Sequence, residues 1–318
     1  MADTPLNYLR TFGPRADPAT GLTWGLLDIS IAVVVIVTVL VVVGVILRRA
    51  PFAQAARPEP HAGVSGLSWI TIGVALTVAT LAVSLIWTVQ VVAKVDSPAH
   101  PPALTLQVAG RQWWWQVGYR SADGQPAFAT ANEIHIPVGR PVLVELSSPD
   151  VIHSFWVPSL TGKTDTIPGR GNISWMQADR VGLYRGQCTE YCGVQHAKMA
   201  FVVMAQPQVD FDAWRSAQTA PAAAPTDAEA TRGEAVFAAR CASCHVIRGG
   251  PGYGEAGPDL THLMSRRELA SGALPNTTGA LSGWIANPQG VKPGALMPAT
   301  ELSGPDLNAV VAYLETLK

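Results

Sequence analysis

The four cysteines of this 318-residue chain fall in two close pairs, Cys188/Cys192 and Cys241/Cys244. Spacings that short suit metal or haem chemistry better than a long-range disulfide framework. The first pair lies in GQCTEYCGVQHAKM (residues 186–199), with Glu190 between the thiols and His196 and Met199 following. A single blue-copper site takes two His, one Cys and a weak axial Met. Here a second Cys is inserted, and an upstream His is available at His153, in VIHSFWVPSL. Two thiolates can bridge two copper ions about equally. That spreads one electron over both ions and keeps the nuclear rearrangement on electron transfer small. Structural zinc, which also accepts two Cys and a His, is the alternative, and the thioether of Met199 favours copper over it.

The second pair lies in RCASCHV (residues 240–246), which contains the C-x-x-C-H signature of covalent haem attachment. Two thiols form thioethers with the haem vinyls, and His245 is placed to ligate the iron. A helical segment precedes the motif, GPDL (257–260) follows it, and LMP (296–298) supplies Met297 for the opposite haem face. Met264 competes for that role but sits in an ordinary helical pattern, as a core residue does. His61, His100, His135 and His262 lack ligand-type neighbours in sequence and read as surface or structural.

Several elements must position these residues. The chain has 22 Lys+Arg against 23 Asp+Glu, a net charge of −1, which argues against nucleic acid as a partner. Only 14% of residues are charged, against about 25% in a typical soluble domain, so part of the chain is expected in lipid. Residues 25–47 and 69–92 are apolar runs longer than the ~20 residues a spanning helix needs. Asp28 lies at the edge of the first and Lys94 just beyond the second, and Trp24, Trp69 and Trp87 sit near span ends, where indoles favour the headgroup layer. The connecting loop carries Arg48, Arg49 and Arg57 against Glu59, whereas Arg10 and Arg15 of the amino-terminal tail are balanced by Asp3 and Asp17. That bias puts the loop inside and both termini outside. A cleaved signal peptide fits less well, because the first run is too long and its basic residues follow it.

The expected organisation is an external tail (1–24), a transmembrane hairpin (25–92, spans 25–47 and 69–92), a β domain (93–217), an Ala/Pro linker (218–230) and a helical domain (231–318). Strand-like segments at 104–109, 133–138, 141–146, 152–157, 173–177 and 199–205 suggest an antiparallel sandwich or barrel. The linker, QTAPAAAPTDAEA, has no packing pattern and as a flexible coil would reach roughly 20 Å. Helical periodicity marks 230–239 and 304–317.

The motif C-x-E-x-C-x-x-x-H-x-x-M with its upstream His resembles that of subunit II of haem–copper cytochrome c oxidases, over residues 25–215. The resemblance implies a binuclear Cu-A centre in an all-β cupredoxin-like domain behind a two-helix transmembrane hairpin. By that resemblance Cys188 and Cys192 bridge the coppers, His153 and Met199 complete one ion, and His196 and the carbonyl of Glu190 complete the other. The Glu190 carboxylate would face a magnesium ion at the contact with subunit I, and Asp165, in GKTDTIPGR, matches a family loop near that contact. GRQWWWQVGY (110–119) matches the family's aromatic segment, in which Trp113 marks the surface patch where electrons enter. Packing within the sandwich is the alternative for Trp113, and more so for Trp114 and Trp115.

Residues 231–318 resemble an all-α class I cytochrome c. Cys241 and Cys244 would hold the haem, with His245 proximal and Met297 distal, and the Pro258 carbonyl would orient the imidazole. Together the signatures resemble the cytochrome-c-fused subunit II of a caa-type oxidase. Such a subunit passes electrons from cytochrome c or a quinol:cytochrome c reductase-type complex through haem c and Cu-A to subunit I, where O2 is reduced to water with proton pumping. The setting implied is the bacterial inner membrane, with both redox domains on the periplasmic side. The alternatives are the matching subunit of a Cu-A nitric oxide reductase, or a stand-alone membrane-anchored electron carrier. Many family members carry a Glu at the start of the second span. GVSGLSWITIG has no acid there, so this chain is expected to move electrons only.

Overall fold

The computed structural model describes residues 3–4, 6–47, 66–121 and 124–318. The loop residues Arg48, Arg49, Arg57, Glu59 and His61 lie outside this set. The chain divides into two compact units, residues 17–97 and residues 1–16 with 98–318.

The smaller unit consists of helices α1 (Asp17–Leu47) and α2 (Gly66–Asp96), each of 31 residues. At 1.5 Å per residue each is about 46 Å long, against a hydrocarbon core of about 30 Å. Both helices run past their apolar stretches, because the flanking polar turns still satisfy helical hydrogen bonding: the Thr23 hydroxyl, for example, donates to the Ala19 carbonyl. No residue of α1 is buried, and neither helix buries any residue of its apolar window. A core helix of a soluble protein would hide such a surface, so a lipid environment is what these helices fit.

The larger unit begins with a short strand, β1 (Asp3–Thr4), and then a two-sheet sandwich. Its strands are β2 (Leu104–Arg111), β3 (Trp114–Arg120), β4 (Pro126–Ala131), β5 (Glu133–Pro137), β6 (Val142–Ser147), β7 (His153–Trp156), β8 (Thr164–Thr166), β9 (Asn172–Met176), β10 (Gly182–Cys188) and β11 (Ala200–Gln206). One sheet has the order β4-β3-β2-β6-β9; the other runs β5-β11-β10-β7-β8, with β1 added beside β10. The sandwich is mixed rather than purely antiparallel. Strands β2 and β6, β5 and β11, and β1 and β10 pair in parallel. Alternating burial gives the same sequence pattern for either strand direction, so the pattern alone could not separate them.

Alternation along β2 and β3 points Leu106, Val108, Trp115, Val117 and Tyr119 inward, all fully buried. Trp115 packs edge-on against Phe155 and Phe201, with centroids 5.7 and 5.4 Å apart, and also against the His153 ring. The apolar core therefore reaches directly to a candidate ligand. The amino-terminal segment docks on this domain: Phe12 N–H donates to the Ser159 carbonyl, Asp179 N–H donates to the Phe12 carbonyl, and Arg15 donates to Ser174 and to the Trp175 carbonyl.

Helix α3 (Gln208–Thr219) closes the β domain and α4 (Ala228–Arg240) opens the next one. Helix α3 therefore takes in the start of the expected linker and α4 its end. The stretch between them is strapped down rather than free. Ala222 N–H donates to the Arg248 carbonyl, and the Ala220 carbonyl meets His262 Nε2 at 3.0 Å. Its Ala/Pro composition has no periodic pattern, but its backbone groups still find partners. The remaining helices are α5 (Thr278–Ala286), α6 (Pro288–Val291) and α7 (Gly304–Glu315). Helices α4 and α7 form the main packing of this module, with Phe237 and Tyr313 edge to face.

Candidate functional site

Three segments of the β domain converge at one end of the sandwich. His153 opens β7, Cys188 closes β10, and Cys192, His196 and Met199 lie on the loop between β10 and β11, with His196 opening a single 3-10 turn. The two sulfurs are 3.8 Å apart. Cys188 Sγ lies 3.9 Å from His153 Nδ1 and 3.3 Å from the Glu190 carbonyl oxygen. Cys192 Sγ lies 3.6 Å from His196 Nδ1 and 3.8 Å from Met199 Sδ. His153, Cys188 and Cys192 form a buried metal-compatible cluster. The full donor set is two thiols, two imidazoles, a thioether and a carbonyl oxygen. It is rich in soft sulfur and suits copper, and two thiols between two such groups of ligands fit a pair of ions.

The electrostatics prepare this site. The bond from Cys192, with His153 and backbone donors beside it, lowers the Cys188 pKa to about 4. Cys192 faces that charge from a buried position and is pushed up, so one proton is shared by the pair. Burial opposes charge on His153, but Asp150 and Cys188 together outweigh this and raise its pKa. That bond joins His153 Nε2 to Asp150 Oδ1 at 2.8 Å. A carboxylate accepts, so Nε2 carries the proton and Nδ1 is left facing the sulfur.

Asp150 is a residue that sequence reasoning missed. It lies in a turn, and only the fold places it behind His153. Its Oδ2 also accepts from Gln112 N–H at 2.7 Å and its Oδ1 from Val151 N–H at 2.6 Å. Asp150→Ala is expected to lower copper affinity by about 10–100-fold, the usual cost of removing the carboxylate behind a ligating His. Competition against a chelator measures this; unchanged affinity would make Asp150 a turn residue only.

The helical module holds a cavity of about 250 Å³, with mostly apolar walls. Cys241, Cys244, His245 and Met297 all line it, together with Leu263, Leu281, Trp284 and Val310. Met264 does not line it; it packs partly buried against the helical core, so Met297 is the thioether in place. His245 Nδ1 donates to the Pro258 carbonyl at 2.9 Å, and burial lowers its pKa. The ring is therefore neutral with Nε2 free to ligate. Gly257 lies against this ring, where a Cβ would come within 2.5 Å of it. Arg266 also lines the cavity, with its guanidinium donating to the Asp259 carbonyl and its Nε buried without a partner. A buried cationic donor left over in an apolar slot fits the carboxylate edge of a haem.

Over 300 residues the chain is 35% identical to cytochrome c oxidase subunit 2 of Alkalihalophilus pseudofirmus, covering 92% of this chain and 86% of that relative. The chain belongs to the cytochrome c oxidase subunit II family. Residues 120–206 match the family described as cytochrome c oxidase subunit II, periplasmic domain, and residues 230–318 match cytochrome c. Subunit 2 from Bacillus sp. strain PS3 is 32% identical over 235 residues, covering 70% of this chain and 65% of that relative. Among solved structures, the periplasmic domain of subunit II of cytochrome oxidase from Bradyrhizobium japonicum is 30% identical. It covers 38% of this chain and 96% of that chain, with a TM-score of 0.35. As a subunit II, this chain is part of a haem–copper oxidase and associates with subunit I and other oxidase subunits. Its two soluble domains imply copper and haem c.

The other residues expected from sequence take varied places in this subunit II. The Glu190 carboxylate is exposed and sits 3.6 Å from Lys163 Nζ, which also reaches Asp165 at 3.4 Å; Asp165 in turn accepts from Ser154. Trp114 is half-buried beneath Arg111, and Trp115 is core. Trp113 is 8% exposed and is not a surface patch. The cytochrome module covers it, and Trp113 and Trp114 form part of the wall of the haem cavity. A surface role inferred from a domain read in isolation could not anticipate this cover. His135 and His262 are buried: the first pairs with Glu133 and stacks on Trp214, the second meets the Lys318 and Ala220 carbonyls. His100 is exposed.

Proposed function

We propose that this chain is the electron-entry subunit of a respiratory cytochrome c oxidase, passing electrons from an external donor through haem c and a binuclear Cu-A centre to subunit I for proton-pumping reduction of O2 to water. In this reading Cys188 and Cys192 would serve both ions of the metal pair, His153 and Met199 would serve one, and His196 and the Glu190 carbonyl would serve the other. Cys241 and Cys244 anchor the haem between His245 and Met297. Bound copper and haem supply the one-electron chemistry that no side chain here provides. The chain's own residues keep both sites dry and rigid, and so limit reorganisation around each transfer.

One observation carries the reading: the haem-side cavity ends on Trp113, whose indole N–H donates 2.9 Å to the carbonyl of Cys192. Trp113 is thus the hand-off point inside the chain rather than the docking patch for a separate protein. Cytochrome c, or a quinol:cytochrome c reductase-type complex, then delivers electrons to the cytochrome module. The Glu190 carboxylate, beside Lys163 and Asp165, is the group offered to a magnesium ion at subunit I.

Two spans offer few places for intramembrane His ligands, so the oxygen-reducing centre belongs to subunit I. Segments flanking both ends of the hairpin belong to one β domain. An even number of spans between them supports placing both termini on the periplasmic side of a bacterial inner membrane.

The test is metal and haem analysis of the native complex together with its turnover on oxygen. Two coppers and one haem c per chain with cyanide-sensitive uptake are expected; zinc in place of copper overturns the proposal. His196→Ala should lower oxygen uptake at least about 100-fold, beyond the range for supporting residues, while donor reduction of the cytochrome module persists. Retained uptake would remove copper from the path.

A further inference from the structure

Lys292 is 3% exposed, yet neither of the two ligand sets uses it. Its Nζ donates to the Trp113 carbonyl at 2.7 Å and to the Ala270 carbonyl at 3.3 Å. The Trp113 carbonyl accepts a second bond from Ser271 Oγ at 2.8 Å. Both donors come from the cytochrome module, and Trp113 belongs to the copper domain. Burying an ammonium is costly unless its donors are satisfied. An apolar side chain would fill that slot at less cost, so stability alone does not account for a lysine here.

The surroundings of Lys292 tie the two ligand loops together. Gln195 Nε2 donates to the Pro293 carbonyl at 2.7 Å and Lys198 Nζ to the Val291 carbonyl at 2.6 Å. These two residues flank His196 on the copper loop. Toward Met297 the same cytochrome loop is braced by Gln289, which donates to the Ala295 and Met297 carbonyls and accepts from Gly294 N–H. The neighbouring segment holds Ala270 and Ser271 at φ of 50° and 59°, a left-handed conformation that non-glycine residues rarely keep without tertiary support. Ser271 closes the seam by accepting Ala200 N–H at its carbonyl.

We propose that Lys292 is a positioning residue for transfer between the two redox sites: its buried amino group locks the Met297 loop onto the Trp113 carbonyl and so fixes the cytochrome module against the copper loop. This rests on the electron path proposed above. A rigid seam holds the separation of donor and acceptor constant, whereas a loose one makes each transfer wait for docking. Lys292 lines the haem cavity beside Trp113 but bonds none of the ligating atoms, and it acts through Trp113.

The test uses the full-length chain within the purified complex, carrying Lys292→Met. Hydrogen exchange of residues 268–274 and 291–295 should quicken about tenfold, the scale set by losing one buried hydrogen bond. Amides of α4 and α7 should keep their protection, and the absorption spectra of both metal sites should stay as in the wild type. After photoreduction of the haem by an excited ruthenium complex, transfer to copper should slow about tenfold and depend on solvent viscosity, with Lys292→Arg recovering most of the rate. Wild-type exchange and wild-type transfer in Lys292→Met overturn the proposal, as does slower transfer with unchanged exchange. Absence of transfer in the wild type instead overturns the path itself. If Lys292→Met loses its native haem spectrum, Ser271→Ala removes the other donor to the same carbonyl. Faster exchange at 268–274 in that variant supports the clamp, and unchanged exchange refutes it.

Discussion

Cys192→Ser will leave the β domain folded and empty the metal pair. Cys192 is buried beside Cys188, His196 and Met199, so losing its sulfur removes one of the two atoms that each contact both halves of the donor set. A hydroxyl is a hard, weakly acidic ligand that does not replace a bridging thiolate for copper. The effect should exceed the roughly 10–100-fold that loss of a supporting residue costs, with copper per chain falling to one or none and transfer to subunit I lost. The fold should survive because the bonds from Trp113 Nε1 and Gln112 Nε2 that help anchor this loop end on the Cys192 backbone carbonyl and not on its side chain. Copper analysis and a thermal melt of the same preparation separate the two effects. Two coppers retained in Cys192→Ser would mean that this sulfur is not a bridge.

Gly233→Ala will destabilise the cytochrome module, although alanine is the better helix former. A Cβ at Gly233 of α4 would sit 1.9 Å from the Ala309 carbonyl oxygen and 2.8 Å from Tyr313 Cβ, both on α7. The helix gains about 1 kcal/mol when Gly becomes Ala. The clash is with backbone that cannot rotate away, which places it near the upper end of the roughly 1–3 kcal/mol that overpacking costs. The net loss is then about 2 kcal/mol, a fall of roughly 8–16 °C in melting temperature for a module of this size. Haem absorbance during a thermal scan reads this directly. An unchanged or higher melting temperature would show that α4 and α7 do not cross at Gly233.

The close spacings of Cys188, Cys192, His196 and Met199, and of Cys241, Cys244 and His245, are local. Any fold that keeps those segments intact brings these residues near one another, so both sites were legible as motifs. The two apolar runs were equally legible, because crossing a bilayer is a requirement on length and composition. Strands whose alternation is carried by aliphatic residues, such as β2 and β6, were found. Strands β3, β4, β8 and β10 were not, because tryptophan runs, glycines and short length mask their alternation.

Only the tertiary structure decided the rest. Asp150 is three residues from His153 in a turn, and a turn aspartate has an ordinary explanation in its own backbone bonds; the carboxylate becomes part of the site because β7 turns the imidazole toward it. Lys292 is a single basic residue in a Gly/Pro-rich loop and Arg266 stands beside Arg267, both indistinguishable in sequence from solvated residues, and only the fold buries the Lys292 side chain and the Arg266 Nε. The linker looks like a tether by composition, but its backbone carbonyls and amides find fixed partners. Trp113 changes most: sequence places it in an aromatic segment, and packing puts the cytochrome module over it. Covalent spacing determines which atoms can bind a metal or a haem. The distance and contact between two such sites depend on side chains far apart in the chain, and no local pattern encodes them.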